Sequence, residues 1–237
     1  MKIGDCMKVF AIRDLHLSIN NPKPMDIFGP VWDGYLEVIN NDWEEKVSDE
    51  DIVLIPGDIS WAMRFEESKP DLDYIKRLKG NKFILKGNHD YWWNSIGELR
   101  SYLGDKMYAI QNDAVKIGDV IICGSRGWTI PDNGQRTEQD EKIYRRELIR
   151  MELSLKSMQT LRTSGEKVIV MTHFPPFNYR QEDSEMTELF EKYQVNAVVF
   201  GHLHSYDKDQ KLRFERNGIK YYLTSCDLVD NKLIEIL

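Results

Sequence analysis

The sequence predicts an α/β fold in which short strands alternate with amphipathic helices. Seven apolar runs of strand length recur along the chain, and polar segments with helical periodicity separate them. The length of 237 residues is typical of one large domain, and the hydrophobic fraction of 41% is that of an ordinary globular protein. We therefore expect residues 1–237 to form a single domain, with residues 1–6 as an extension before it, either an alternative start or a non-native remnant.

The predicted strands are apolar runs of about four or five residues between polar or turn-forming segments. In chain order they are VFAI (9–12), DIVLI (51–55), KFILK (82–86), VIICG (120–124), KVIVM (167–171), NAVVF (196–200) and KYYLT (220–224). The longer segments 107–123 and 211–237, which include two of these runs, have the pattern of β-meanders.

Four segments carry the periodicity of amphipathic helices. The clearest spans 139–162, where apolar residues recur at three- and four-residue steps and form one stripe. This stripe consists of Tyr144, Leu148, Met151, Leu155 and Met158. Shorter helices are predicted at 32–47, 72–78 and 185–193. We expect the long helix to cover a sheet with its apolar stripe.

Composition and charge narrow the classes of function. The formal net charge of -7 repels polyanions, so we expect a small substrate and no long nucleic acid. The three cysteines, Cys6, Cys123 and Cys226, are widely spaced and odd in number, which disfavours a disulfide framework or a zinc-thiolate site. No apolar run approaches membrane-spanning length and no signal segment precedes the first strand, which predicts a cytoplasmic protein without a membrane partner.

Residue types that bind metals follow five of the predicted strands. Asp14 and His16 come after the first run, and a strand that continued through them would place both side chains on one face. After the second run, Gly57 allows an unusual backbone conformation or a close approach. The two carboxylate oxygens of Asp58, which follows it, could bridge two cations. The loops are therefore predicted to carry the chemistry.

The third run leads into the tetrapeptide Gly87-Asn88-His89-Asp90, which is the sharpest local signal. It offers an amide oxygen, an imidazole, and a carboxylate that could hold this imidazole in one tautomer. An isolated histidine is usually a hydrogen-bonded structural residue. Here, however, all five histidines lie at predicted strand ends, and the remaining three are His173, His202 and His204. Together they predict a metal site.

The order of these residues resembles the signature of the calcineurin-like metallophosphoesterases. That signature is D-x-H, G-D, G-N-H-D/E, a lone H and G-H-x-H, and all five blocks occur in this order between Asp14 and His204. The resemblance implies a four-layer αββα sandwich of two packed sheets flanked by helices, with metals at one end of the strands. It also implies an enzyme that hydrolyses phosphate esters by attack of a hydroxide held at a dinuclear metal centre.

The resemblance further implies a role for each matching residue. The first cation is expected to bind Asp14, His16, Asp58 and His204. The second is expected to bind Asp58, Asn88, His173 and His202, so that Asp58 bridges both. His89 is expected to donate a proton to the leaving group or to stabilise the transition state, with Asp90 orienting it. The mixed nitrogen and oxygen ligands favour manganese or iron, and also suit zinc or cobalt.

Within this interpretation, a small phosphodiester is the expected substrate. A phosphomonoesterase and a protein phosphatase are the alternatives, although a protein phosphatase would be expected to carry longer insertions and an open groove. The alternative from another class is a metal-binding interaction scaffold of the same fold without turnover. The complete set of ligands argues against the scaffold, whereas Arg13, at a position where many relatives carry serine, favours it.

Residues that contact the substrate are less closely defined by the sequence. Arg13 could contact a substrate phosphate, but on a strand its side chain would point away from Asp14 and form an ion pair, which we favour. The other candidates are basic or aromatic residues near the metal blocks, namely Trp61, Trp92, Trp128 and Arg180. Packing of the tryptophans onto the sandwich and solvation of the surface charge are the more common alternatives.

Overall fold

The computed structural model describes residues 7–131, 136–204 and 211–237. The extension proposed at residues 1–6, with Cys6, lies outside this part of the chain. The strands are β1 (Val9–Ala11), β2 (Ile52–Ile55), β3 (Asn81–Leu85), β4 (Met107–Ile110), β5 (Ala114–Ile117), β6 (Val120–Ser125), β7 (Lys167–Thr172), β8 (Ala197–Phe200), β9 (Arg213–Arg216), β10 (Ile219–Leu223) and β11 (Ile234–Glu235). The α-helices are α1 (Tyr35–Lys46), α2 (Phe65–Arg77), α3 (Ile96–Leu103), α4 (Glu138–Leu161) and α5 (Glu185–Lys192).

Helices α4 and α5 begin where polar side chains satisfy their first backbone N–H groups. Thr137 precedes α4 and accepts a hydrogen bond from the backbone N–H of Asp140, at 3.1 Å. Ser184 precedes α5, and its hydroxyl accepts from the backbone of Thr187 while the Thr187 hydroxyl accepts from the backbone of Ser184. These caps explain why both helices begin at the positions expected from the sequence.

The strands form two sheets whose inner strands run parallel. The first sheet has the order β11-β1-β2-β3-β4, and the second has the order β5-β6-β7-β8-β10-β9. The strands β11, β5 and β9 are antiparallel to their neighbours, whereas the other pairs are parallel. The carboxyl ends of the parallel strands therefore meet along one edge of each sheet.

Alternation along the strands creates the layers. In β1, Val9 and Ala11 pack between the sheets, while Phe10 packs on the opposite side with residues of α1, α2 and α3. In the second sheet, Ile122 and Met171 face the first sheet, and a separate cluster joins the opposite face to α4 and α5. The order of layers is thus helices, sheet, sheet, helices, which confirms the expected αββα sandwich.

All seven predicted runs form strands, but three expectations about the chain between them are wrong. Helix α2 begins at Phe65 instead of 72 and continues through Pro70, and α3 was not expected. The segment 107–123 is not one meander, because β4 pairs with β3 in the first sheet while β5 and β6 pair in the second. Likewise β9 and β10 form a hairpin in the second sheet, whereas β11 pairs with β1 in the first.

None of the helices in the described ranges combines the length and the apolar character required to cross a bilayer.

Candidate metal centre

The predicted metal ligands follow five parallel strands that end at the same edge of the sandwich. The first sheet supplies the residues after β1, β2 and β3, which are neighbours in that sheet. The second sheet supplies those after β7 and β8, which are also neighbours. Because the carboxyl ends of parallel strands lie together, residues that are far apart in the chain converge here.

Several ligand candidates adopt a backbone conformation that residues with a side chain rarely use. The φ angles of Asp14, His16, Asp58 and His202 are 54°, 45°, 50° and 69°. Strand β1 ends at Ala11, so the expected alternation does not extend to Asp14 and His16. Tight left-handed turns, and not a continued strand, therefore direct these two side chains to the same place. Such strain is typical of functional sites.

The side chains fall into two groups with the geometry of cation sites. Asp14, His16 and His204 form metal group one, and Asp58, His173 and His202 form metal group two; the potential ligand atoms of each group lie within 4.8 Å of one another. Each group draws ligands from both sheets. In group two, the Nε2 atom of His173 lies 3.5 Å from Oδ2 of Asp58.

The remaining expected ligand and the expected proton donor lie beside these groups. Oδ1 of Asn88 is 2.5 Å from Nε2 of His173, which places the amide oxygen in metal group two. The backbone N–H of His89 donates to Oδ1 of Asp58 at 2.8 Å. The half-buried imidazole of His89 has its ring centre 5.8 Å from that of His16, on the side of metal group one.

Two glycines allow Asp58 to occupy its place. Gly57 has a φ of 102°, and a Cβ atom there would lie 2.5 Å from Nδ1 of His173. A Cβ atom on Gly87 would overlap with the carboxylate and the backbone nitrogen of Asp58. The sequence interpretation of Gly57, an unusual backbone conformation with a close approach, is confirmed, and Gly87 is needed for the same reason.

The polar atoms of the groups fit divalent cations. Oδ2 of Asp14, Oδ2 of Asp58 and Nδ1 of His16 are buried and have no hydrogen-bond partner among the described residues. Buried carboxylate oxygens without partners are costly, and a coordinated cation would compensate them. The combination of imidazole, carboxylate and amide donors suits transition-metal dications.

The electrostatics of the two metal groups also favour bound cations. Burial, followed by the neighbouring carboxylates of Asp90 and Asp14, raises the pKa of Asp58 to about 8. Burial lowers the pKa of His16 to about 3 and that of His202 to about 4, so both imidazoles are neutral, which is the form that binds metals. Positive charge at the centre would favour the ionised form of Asp58 and leave these imidazoles neutral.

His204 has a carboxylate partner that the sequence analysis did not identify. Both oxygens of Asp227 lie 3.2 Å from Nδ1 of His204, so that Nε2 is free to face metal group one. Although burial opposes it, the Asp227 hydrogen bond raises the pKa of His204. Asp227 follows β10 by four residues, and this position after a strand is the signal that the sequence offers for it.

The resemblance implies that Asp90 orients His89, but the hydrogen bonds of its carboxylate in the described part of the chain are to other groups. Its buried carboxylate accepts hydrogen bonds from the backbone N–H groups of Gly87, Ile59 and Ser60, and from Nε1 of Trp92. The distances are 2.7, 2.9, 3.2 and 3.0 Å respectively. Asp90 therefore joins the loop after β2 to the loop after β3.

Arg13 lies beneath both metal groups and is completely buried. Its guanidinium donates to Oδ1 of Asp14 at 2.5 Å and to the carbonyl oxygen of His173 at 2.7 Å, and it lies 2.5 Å from Nδ1 of His173. The predicted ion pair is confirmed, but the expectation that the side chain points away from Asp14 is wrong, because the strand ends before it. A side chain without exposed surface is not a substrate contact.

The aromatic candidates occupy different environments. Trp61 stacks on His16 with ring centres 4.7 Å apart and lies 4.8 Å from His89, so it lines metal group one. Trp92 is fully buried in the core, and the expectation that it contacts substrate is wrong for that reason. Trp128 is half-buried, 5.0 Å from Phe174, and donates to Asp140.

Arg180 is exposed and forms an ion pair of 3.9 Å with Glu182, in the loop that precedes α5. This ion pair agrees with the interpretation of Arg180 as a solvated surface charge, which was the alternative to a substrate contact.

The chain matches a family model described as calcineurin-like phosphoesterase over residues 7–206. A curated protein from Coxiella burnetii, named a probable cyclic nucleotide phosphodiesterase, is 22% identical over 228 residues, which cover 85% of this chain and 77% of that protein.

Solved structures from three organisms share the fold at low sequence identity. A phosphopantetheinyl hydrolase from Mycobacterium tuberculosis has a TM-score of 0.58 at 15% identity, with 97% of this chain and 95% of that chain covered. A protein from Thermus thermophilus has a TM-score of 0.61 at 12% identity, with 98% and 99% covered. A protein of unknown function from Aquifex aeolicus has a TM-score of 0.52 at 17% identity, with 97% and 96% covered.

The family model covers all five motif blocks and most of the chain, and the two groups of His and Asp side chains fit the divalent metals that this family uses. The chain therefore belongs to the calcineurin-like phosphoesterases, and it is a hydrolase of phosphate esters.

Proposed function

We propose that this protein hydrolyses a small phosphodiester at a centre of two divalent cations. The observation that carries the proposal is the juxtaposition of metal groups one and two at the same edge of the sandwich, with unpaired buried oxygens of Asp14 and Asp58. Each group alone would suit one cation. Two adjacent groups suit the pair of cations that phosphoester hydrolysis commonly employs.

The residues assigned to the two cations are the following. Metal group one would hold the first cation with Asp14, His16 and His204, and metal group two would hold the second with Asp58, Asn88, His173 and His202. Asp58 is proposed as the bridge, because Nε2 of His173 lies 3.5 Å from its Oδ2 atom and the carboxylate of Asp14, in the other group, is near enough to raise its pKa. When bound, the cations would supply Lewis acidity, which activates water as a nucleophile and offsets the charge on the phosphoryl oxygens.

The side chains around the centre bind and orient the ester. His89 is proposed to donate a hydrogen bond or a proton to the leaving-group oxygen, because its imidazole is accessible and its backbone is held by Asp58. Trp61 covers one side of His16 and limits the mobility of both imidazoles. Arg13 fixes the positions of Asp14 and His173 from below.

Three observations favour a small diester over the other esters. The relative from Coxiella burnetii is named a probable cyclic nucleotide phosphodiesterase. The net charge of -7 disfavours long polyanions. The five motif blocks lie within residues 14–204, which leaves little room between them for the insertions expected of a protein phosphatase. Manganese or iron is the proposed metal, with zinc or cobalt as alternatives.

The first experiment is hydrolysis of bis(p-nitrophenyl) phosphate and p-nitrophenyl phosphate by chelator-treated protein, with Mn²⁺, Fe²⁺, Zn²⁺ or Co²⁺ restored singly. We expect metal-dependent turnover with faster hydrolysis of the diester. Asp58→Ala should abolish it, and His89→Ala should lower kcat by roughly 10²- to 10⁴-fold. Asp105→Ala, an exposed aspartate in a turn, is the matched control and should retain full activity.

Each other outcome has a definite meaning. Faster hydrolysis of the monoester would mean that the protein is a phosphomonoesterase and not a phosphodiesterase. Absence of turnover with every ion, although metal analysis shows that metal is bound, would contradict the enzymatic proposal and favour the interaction scaffold.

A further inference from the structure

A cationic pocket lies beside metal group two, and the proposed chemistry does not use it. The pocket has a volume of about 300 Å³ and opens at the carboxyl ends of β3, β4 and β6. It is defined by Lys86 and Arg126 at its base, Arg146 and Arg150 on α4, and the buried side chains Ser125 and Glu147. We call it the cationic pocket.

The position of the cationic pocket follows from the sheet order. Metal group two lies at the ends of β2, β7 and β8, and the pocket lies one strand farther along both sheets, at β3 and β6. The carbonyl oxygen of Arg126 accepts the backbone N–H of His173 at 3.0 Å. Lys86 precedes the ligand Asn88 by two residues. Because neighbouring strands are roughly 5 Å apart, a group in the pocket would be about one or two strand spacings from the metal ligands.

The charge of the pocket is only partly compensated by the protein. Four cationic side chains line it, and Glu147 is the carboxylate among the lining residues. Glu147 pairs with Arg150 at 2.6 Å. Within the described ranges, neither Arg126 nor Arg146 forms an ion pair with a carboxylate. The chain as a whole is acidic, so this local excess of positive charge is opposite to the surrounding field.

A second, independent observation also indicates a ligand. Ser125 lines the pocket and is 1% exposed, and its hydroxyl has no hydrogen-bond partner among the described residues. Buried hydroxyl groups are rarely left unpaired. A hydroxyl donor and several guanidinium forks are the groups that proteins use to bind phosphate oxygens.

We infer that the cationic pocket binds a second phosphate group of the substrate, separate from the phosphate that is hydrolysed. Arg126 and Arg146 would contact this phosphate and Ser125 would donate to it, so that the preferred substrate is a small diester that carries an additional phosphate. The inference rests on the proposed function, because it concerns the substrate of the same centre.

The test measures binding and does not depend on turnover. Thymidine 3′,5′-bisphosphate and thymidine 5′-monophosphate differ by one phosphate, and calorimetry gives the Kd of each for the Mn²⁺-loaded protein. We expect the wild type to bind the bisphosphate at least roughly 10-fold more tightly than the monophosphate. One or two charge-assisted hydrogen bonds to the second phosphate would account for this difference in affinity. Arg126→Gln and Arg146→Gln should each reduce this preference several-fold, and added salt should weaken it.

Lys156→Gln is the matched control, because Lys156 is another exposed cation on α4 but lies outside the pocket. It should retain the preference of the wild type. Since Arg146 is exposed, its variant tests the inference even if Arg126→Gln folds poorly. Equal affinity for the two nucleotides in the wild type, or a preference that survives both arginine variants, would overturn the inference. Failure of the proposed function would instead appear as a lack of hydrolysis with this preference intact.

Discussion

Asp90 illustrates how a single residue in a functional motif can have a structural role. Both of its oxygens accept hydrogen bonds from N–H donors, and these donors belong to the loops that carry Asp58 and Asn88. Burial raises the pKa of Asp90, while the N–H donors oppose this effect. The carboxylate thus holds two ligand loops in register, and its influence on chemistry is exerted through their positions.

Replacement of Asp90 by asparagine should therefore destabilise the protein. The amide NH₂ would face an N–H donor that now lacks an acceptor, at a cost of about 1–3 kcal/mol in the free energy of unfolding. Urea unfolding measures the difference, with the exposed Asp33→Asn as a control that should leave stability unchanged. Unaltered stability together with loss of activity would return Asp90 to the role of orienting His89.

Arg13 is a second residue whose contribution to stability depends on its buried surroundings. Removal of its guanidinium by Arg13→Leu would leave Asp14 as a buried carboxylate without its cationic partner. In metal-stripped protein we expect a loss of about 3–5 kcal/mol in the free energy of unfolding. Arg145→Gln removes an exposed arginine of α4 and should change stability by no more than about 0.5 kcal/mol. Similar values for the two variants would mean that the buried ion pair contributes little.

At the scale of elements, an ion pair connects the edge strand β5 to the turn that precedes β7. Lys116 on β5 donates to Glu166, at 2.5 Å, in the turn between α4 and β7, and Thr163 also donates to this carboxylate. The hydrogen bond from Lys116, followed by that from Thr163, lowers the pKa of Glu166 from 4.5 to about 2. The folded state therefore favours the ionised carboxylate more than the unfolded state does.

This shift predicts a pH dependence of stability. Because the pKa of Glu166 is lower in the folded state, its contribution is fully present above pH 4.5 and declines as the pH falls from 4.5 towards 2. The urea midpoints of metal-stripped wild type and Glu166→Gln should differ more at about pH 6 than at about pH 3.5. A difference that stays constant with pH would show that ionisation of Glu166 does not stabilise the fold.

At the scale of the whole molecule, each metal group joins the two sheets. Group one takes Asp14 and His16 from the first sheet and His204 from the second, while group two combines Asp58 with His173 and His202. Bound cations would thus link two layers that otherwise contact each other mainly through apolar side chains. We therefore expect metal binding to stabilise both sheets together against unfolding.

Metal titration of the chelator-treated protein tests this expectation. At a free Mn²⁺ concentration of about 100 times the Kd of a site, each bound cation should increase the free energy of unfolding by about 2.7 kcal/mol, and Tm should rise accordingly. His202→Asn should reduce the increase, whereas Glu66→Gln, on an exposed carboxylate, should not. Binding without a change in Tm would mean that the ions occupy surface carboxylates instead of the two metal groups.

The strands and the family could be predicted from the sequence because their signals are local. Apolar runs identify the strands, and the five motif blocks specify residue types at short spacings, which do not depend on the surrounding fold. The positions of the loops that follow these strands are therefore encoded locally. Helix α3 and the longer α2 were missed because short or proline-containing helices carry a weak periodicity.

Tertiary structure decided which side chains meet. The direction of Arg13 depends on the end of β1 and on left-handed turns, the partners of Asp90 come from the neighbouring loop, and Asp227 reaches His204 across 23 positions of the chain. The cationic pocket likewise forms only because α4 packs beside the ends of β3 and β6. Sequence by itself determined the fold family and the candidate ligands, whereas long-range packing, which no local pattern encodes, decided the contacts that position them.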